Sequence, residues 1–102
     1  MTGVQTCALP IAGGKGLYLG LLEAEPGAEV PRNSHAGTAE ILFVVSGAGE
    51  MTVGSEKIPF EADEALHIPE NQPHAAKFTG PDKTVMVQIN ADQATKLVKD
   101  LL

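Results

Sequence analysis

Little in this sequence can stack or cross-link. Tryptophan is absent, and only Tyr18, Phe43, Phe60 and Phe78 are aromatic among 102 residues. A core so poor in aromatics must lean on Val, Ile and Leu, and a partner subunit would help complete it. The single cysteine, Cys7, excludes an internal disulfide and any cysteine-rich zinc site. Positive charge is scarce as well: seven Lys and Arg face thirteen Asp and Glu, for a formal charge of -6. Phosphate backbones and anionic lipids need clustered cations, and here only Lys96 and Lys99 lie close together. Nucleic acid and membrane are therefore excluded as main partners. No apolar run approaches the roughly 20 residues that span a bilayer. Between Leu17 and Asn90 there is no helix-period segment, which argues against a parallel βαβ sheet. Ser/His/Asp arrangements, phosphate loops, zinc-finger spacings and internal repeats are also missing.

What is present is a series of short apolar segments divided by turn residues. Apolar residues make up 43% of the chain, enough for one modest core and one domain. Strands are expected at Leu17–Ala24, Glu29–His35, Glu40–Ser46, Glu50–Val53, Lys57–Phe60, Ala65–Ile68, Ala75–Phe78 and Thr84–Asn90. Pro26-Gly27, Gly47-Ala48-Gly49, Gly54-Ser55 and Gly80-Pro81-Asp82 punctuate them as turns. The acidic runs Glu23-Ala24-Glu25 and Glu61–Glu64 read as solvated turn charges. The spacing predicts an all-β sandwich or barrel. Only the end differs. Over Ala91–Leu102, Ala94, Leu97, Val98 and Leu101 share one helical face, with Asn90 or Asp92 available as a cap. A short C-terminal helix is expected there, packed on the barrel or on a neighbouring subunit.

The candidate chemistry lies in four separated residues. Asn33 and His35 are two apart on an expected strand and so share a face. Glu40 opens the next strand after a short turn containing Gly37, and His74 follows the turn Pro69-Glu70-Asn71-Gln72-Pro73. Two imidazoles and a carboxylate suit one divalent transition metal (Fe, Mn, Ni, Zn or Cu), and together they can form a facial set with open positions. By residue count alone these histidines are as easily surface or core positions.

Order and spacing say more. Gly27 is followed by five residues, then Asn33-Ser34-His35, four residues, Glu40, six residues and Gly47. Later Asp63, Pro69, Asn71, His74 and Phe78 stand where a second motif has Gly, Pro, Gly, His and Asn. In this order the two motifs resemble those of the cupin superfamily, across Gly27–His74 for the motifs and Leu17–Asn90 for the fold. The resemblance implies a cupin-like antiparallel jelly-roll barrel with a metal near one mouth, held by His35, Glu40 and His74. It also puts Asn33 where the family has a fourth ligand, a histidine. An amide oxygen there can ligate weakly, hold a water, or leave an open position; equally, Asn33 marks a barrel losing its metal. His67 is a candidate proton carrier, Gln88 a candidate polar lining group, and Met51, Met86 and Phe43 candidates for an apolar pocket wall.

The function expected from this set is a metal-dependent, dioxygenase-like enzyme acting on a small organic molecule, most readily by oxygen-dependent oxidation. The alternative is a non-catalytic small-molecule binding or sensor module, with or without metal. Small cupins commonly pair, so a homodimer is expected.

The first eleven residues, MTGVQTCALPI, resemble a translated sequencing adapter. On that reading residues 1–16 are a non-native or linker segment of metagenomic assembly, and residues 17–102 are the single domain. Cys7 then falls outside the natural portion, and the natural protein extends further at its N-terminus, with any leader lost. The other reading is a genuine N-terminal arm. A cytoplasmic location is the default expectation.

Overall fold

The computed structural model describes residues 3–9, 17–34 and 38–92. Among them run nine strands: β1 (Val4–Leu9), β2 (Leu17–Ala24), β3 (Glu29–Asn33), β4 (Thr38–Ser46), β5 (Ala48–Val53), β6 (Glu56–Glu61), β7 (Ala65–Ile68), β8 (His74–Phe78) and β9 (Thr84–Asp92). They form a five-stranded sheet, β1-β2-β9-β4-β7, and a four-stranded sheet, β3-β8-β5-β6. Every pairing is antiparallel. The expected all-β jelly roll is formed, and no helix, membrane-spanning or otherwise, occurs among the described residues.

Alternation along the strands builds the core between the sheets. Leu42 and Val44 of β4, Met86 of β9 and Leu22 of β2 face Met51 of β5, Phe60 of β6 and Phe78 of β8. Phe60 and Phe78 meet edge to face, with centroids 6.1 Å apart. The opposite parity of the five-stranded sheet points outward and is apolar too. Leu19, Ile89 and Ile41 are cross-strand neighbours in one row, and Leu21, Val87 and Phe43 in the next. These side chains are half-buried or exposed, and Phe43 is 41% exposed. Phe43 is therefore not a pocket wall: strand parity sends Leu42 and Val44 inward and Phe43 out.

Most expected strands differ by one or two residues at one end or both, and two differences matter more. Val4–Leu9 lies in the segment read as scar or linker, yet it pairs in register with β2, Val4 opposite Ala24 and Leu9 opposite Leu19. Backbone ladders ask only for an extended chain, and the open edge of β2 supplies the partner whatever the segment's origin. β9 continues through Ala91 and Asp92, because β2 and β4 flank it on both sides and Thr38 and Ala39 still pair there. Residues 93–102, which carry most of the expected helix, lie outside the described residues, as do residues 10–16 and His35.

Four turn positions share one conformation. Gly27, Gly47, Asp63 and Asn71 all have positive φ, at 87, 91, 71 and 63°. These are the glycine positions of the two motifs, so Asp63 and Asn71 occupy glycine-like turns with the two residue types that best tolerate them. Gly47 is constrained a second way, since a Cβ there would overlap Thr84.

Candidate functional site

Four strands from two sheets bring the polar residues together. Glu40 enters from β4 of the larger sheet, and its side chain is buried. His74 opens β8 of the smaller sheet and is buried as well. The turn before His74 is pinned by the Gly54 N–H, which donates to the Pro73 carbonyl at 2.8 Å. His74 Nδ1 lies 2.9 Å from the Gln72 carbonyl. A carbonyl only accepts, so Nδ1 carries the proton and donates it. The other ring nitrogen, Nε2, faces Glu40 Oε1 at 3.7 Å. Gln88 Nε2 of β9 donates to Glu40 Oε2 at 3.3 Å. Gln88 thus holds the second carboxylate oxygen while the first turns to the histidine.

Asn33 reaches the same place by an irregularity. β3 pairs with β8 through Val30↔Ala76 and Asn33↔His74, with a register shift between. Pro31 and Arg32 are both exposed, and Asn33 turns back in. A bulge of this kind re-aims one side chain, and here it sets Asn33 beside His74. The Asn33 amide Nδ2 donates to the Pro31 carbonyl at 2.9 Å. That bond uses the amide nitrogen, and the ligand-type atom of Asn33 is its oxygen.

These four residues border one cavity of about 310 Å³. Its walls include Leu42, Met51, Ile68, Phe78 and Met86, and β1 adds Val4 and Thr6. Met51 and Met86 take the lining positions expected of them. Val4 and Thr6 were not expected, because their segment was set aside; the alternation Val4-x-Thr6 was the signal available. His67 is exposed on β7 and is absent from the described lining, since Leu66 and Ile68 take the inward parity. Phe78, at the motif's last polar position, is a buried core residue.

The residues present fit a divalent ion in their chemistry. Two donors about 2.1 Å from a shared ion stand about 3.0–3.4 Å apart, and the Glu40–His74 gap of 3.7 Å closes to that range with a small side-chain movement. A histidine that gives its remote N–H to a backbone carbonyl is held in the tautomer that a metal requires. Among the described residues no three His, Cys, Asp or Glu gather at one point. The third expected ligand, His35, is outside the described residues, two positions beyond Asn33.

Comparison with known proteins agrees with this architecture. The protein named polyketide synthase CurC from Streptomyces cyaneus is 28% identical over 85 residues, which is 82% of this chain and 55% of that protein. The chain therefore spans about half the length of this curated relative. The Cnp3 cupin domain of Schizosaccharomyces pombe superposes with a TM-score of 0.82 at 16% identity, covering 97% of this chain and 72% of that one. A predicted oxalate decarboxylase from Thermotoga maritima gives 0.79 at 19%, covering 86% and 79%. KdgF from Halomonas sp. gives 0.79 at 22%, covering 95% and 87%. At these identities the structural likeness speaks for the fold alone. Residues 20–90, from β2 to β9, match the cupin domain family, and the chain belongs to it.

Proposed function

We propose that the chain is a metal-dependent enzyme acting on a small organic molecule, with oxygen-dependent oxidation as its reaction class. The observation that supports this is the buried carboxylate of Glu40 facing the buried imidazole of His74 at 3.7 Å across the cavity. A carboxylate and a neutral imidazole turned toward each other are ligand types that a divalent ion takes together. Glu40, His74 and His35 would hold the ion, and Asn33 would border a weak or open position. When bound, a transition ion supplies Lewis acidity and, if redox-active, electron transfer to dioxygen. The chain's own residues do the rest: Gln88 fixes the carboxylate, the Gln72 carbonyl fixes the ring, and the apolar walls exclude water. His67 faces away from this space and has no role in the proposal. The relative named a polyketide synthase carries an enzyme name, which favours turnover.

Elemental analysis of protein purified without a histidine tag tests the metal, and near-stoichiometric content is expected. Oxygen uptake with Fe(II) and candidate substrates tests the reaction, and Glu40→Ala should abolish it. Metal-free protein that cannot be loaded would sink the proposal. The second reading, a binding module without turnover, draws on Asn33 in place of a histidine ligand. It predicts stabilisation by ligand with no product.

We propose further that two copies pair through the outward apolar rows of the five-stranded sheet. Among the residues of that face whose side chains are described, the ionisable groups are Glu23 and His67 at its margins. Two such faces can meet without opposing like charges, even though each chain carries -6 overall.

A further inference from the structure

The cavity is graded along its length. At the level of His74 lie Asn33 and Glu40, with Gln88 bonded to the carboxylate. One step along β8, Ala76 is paired with Met51, and beyond it stand Phe78 and Met86, with Thr6 of β1 in the Leu22–Met86 row. Among the described lining residues there is no lysine or arginine, and the ionisable groups are Glu40 and His74, both at the polar end. A small dianion would bring its second charge against thioethers and aromatic carbon, where among the described lining residues the Thr6 hydroxyl is the one polar group and no cation pairs it. A divalent ion at the polar end would meet one anionic group and leave the deeper walls unmatched.

We propose that the cavity takes a neutral, largely apolar molecule with one polar oxygen, a phenol, enol or ketone, turned toward Glu40 and His74. A cavity of about 310 Å³ filled at protein-like density holds roughly ten to fifteen non-hydrogen atoms, a bicyclic ring system. The polar end of this inference rests on the metal-site reading above; the apolar body rests on the deeper walls alone.

The test is calorimetric titration of the full chain at neutral pH, metal-free and zinc-loaded, with 2-naphthol, 2-naphthoate and oxalate. The bicyclic alcohol should bind at least about tenfold more tightly than the bicyclic acid, and oxalate more weakly than both. Methyl spectra of the unaltered chain should show ring-current shifts at Met51 and Met86 on adding 2-naphthol. Ala76→Leu, which fills the space opposite Met51, should abolish that binding while zinc content stays unchanged. Equal or tighter binding of naphthoate or oxalate in either form overturns the inference, as does naphthol binding without shifts at Met51 and Met86. Naphthol binding at those methionines in a chain that cannot be loaded with zinc upholds the cavity inference and sinks the metal reading alone.

Discussion

Glu40 Oε1 and His74 Nε2 stand 3.7 Å apart although they belong to different sheets. β4 and β8 share no ladder, so only the packing of one sheet on the other brings the two side chains together. Both are then held from outside the pair, Glu40 by Gln88 and His74 by the Gln72 carbonyl.

Metal should stabilise the fold through this pair. Zinc at a hundred times its dissociation constant is expected to add about 2.7 kcal/mol to unfolding, and a chelator should remove it. Glu40→Ala, His74→Ala and His35→Ala should each lose both the metal and the thermal shift, whereas His67→Ala, on the outer face, should keep them. Calorimetric melting with and without zinc reads this. Full metal content in all three ligand variants would overturn the assignment.

Asn33→His tests the neighbouring position. An imidazole nitrogen is a better ligand for these metals than an amide oxygen, so binding should tighten by roughly 1–3 kcal/mol. Lower turnover alongside tighter binding would mean that Asn33 keeps a position open for substrate. Anaerobic titration with Fe(II) and Zn(II) measures the affinity, and equal values for both proteins would show that residue 33 does not face the metal.

Deleting Met1–Ile11 should destabilise the protein. β1 pairs along the whole of its length with β2, and Val4 and Thr6 line the cavity. A loss of roughly 1–3 kcal/mol is expected, with the newly exposed β2 edge promoting aggregation. An unchanged denaturation midpoint would show that the strand contributes no stability.

Gly47→Ala should be costly and Asn71→Gly nearly neutral. The first puts a side chain at a φ of 91° and into Thr84, for an expected loss of roughly 2–4 kcal/mol. The second replaces a tolerated residue by the permissive one at a φ of 63° and should move stability by less than about 1 kcal/mol. Urea unfolding of both variants distinguishes them, and equal losses would contradict the turn argument.

Phe43→Glu should convert a dimer to a monomer. It places a charge in an outward apolar row, at a residue 41% exposed, on the face proposed to pair. Light scattering during gel filtration reads the mass. A wild-type chain that is already monomeric at tens of micromolar would dismiss the face as a self-interface; a dimeric variant would place the contact elsewhere.

What the sequence determined by itself was local and periodic. Alternation and turn spacing marked out the strands, and Met51 and Met86 stood among the candidates for an apolar wall. Motif order put Asp63 and Asn71 at glycine positions and picked out Asn33, His35, Glu40 and His74 before any contact was known. Parity left His67 and Phe43 undecided, because an alternating strand does not say which of its faces meets the other sheet. The tertiary structure decided that, by packing Leu66, Ile68, Leu42 and Val44 inward. It also decided the role of Gln88, whose bond to Glu40 crosses from β9 to β4, and the inward aim of Asn33, which depends on a bulge against β8. Val4–Leu9 shows the limit most plainly. Its ladder with β2 is made by backbone groups common to all residues, so no side-chain pattern was needed to form it, and only the open edge of the folded sheet could select it.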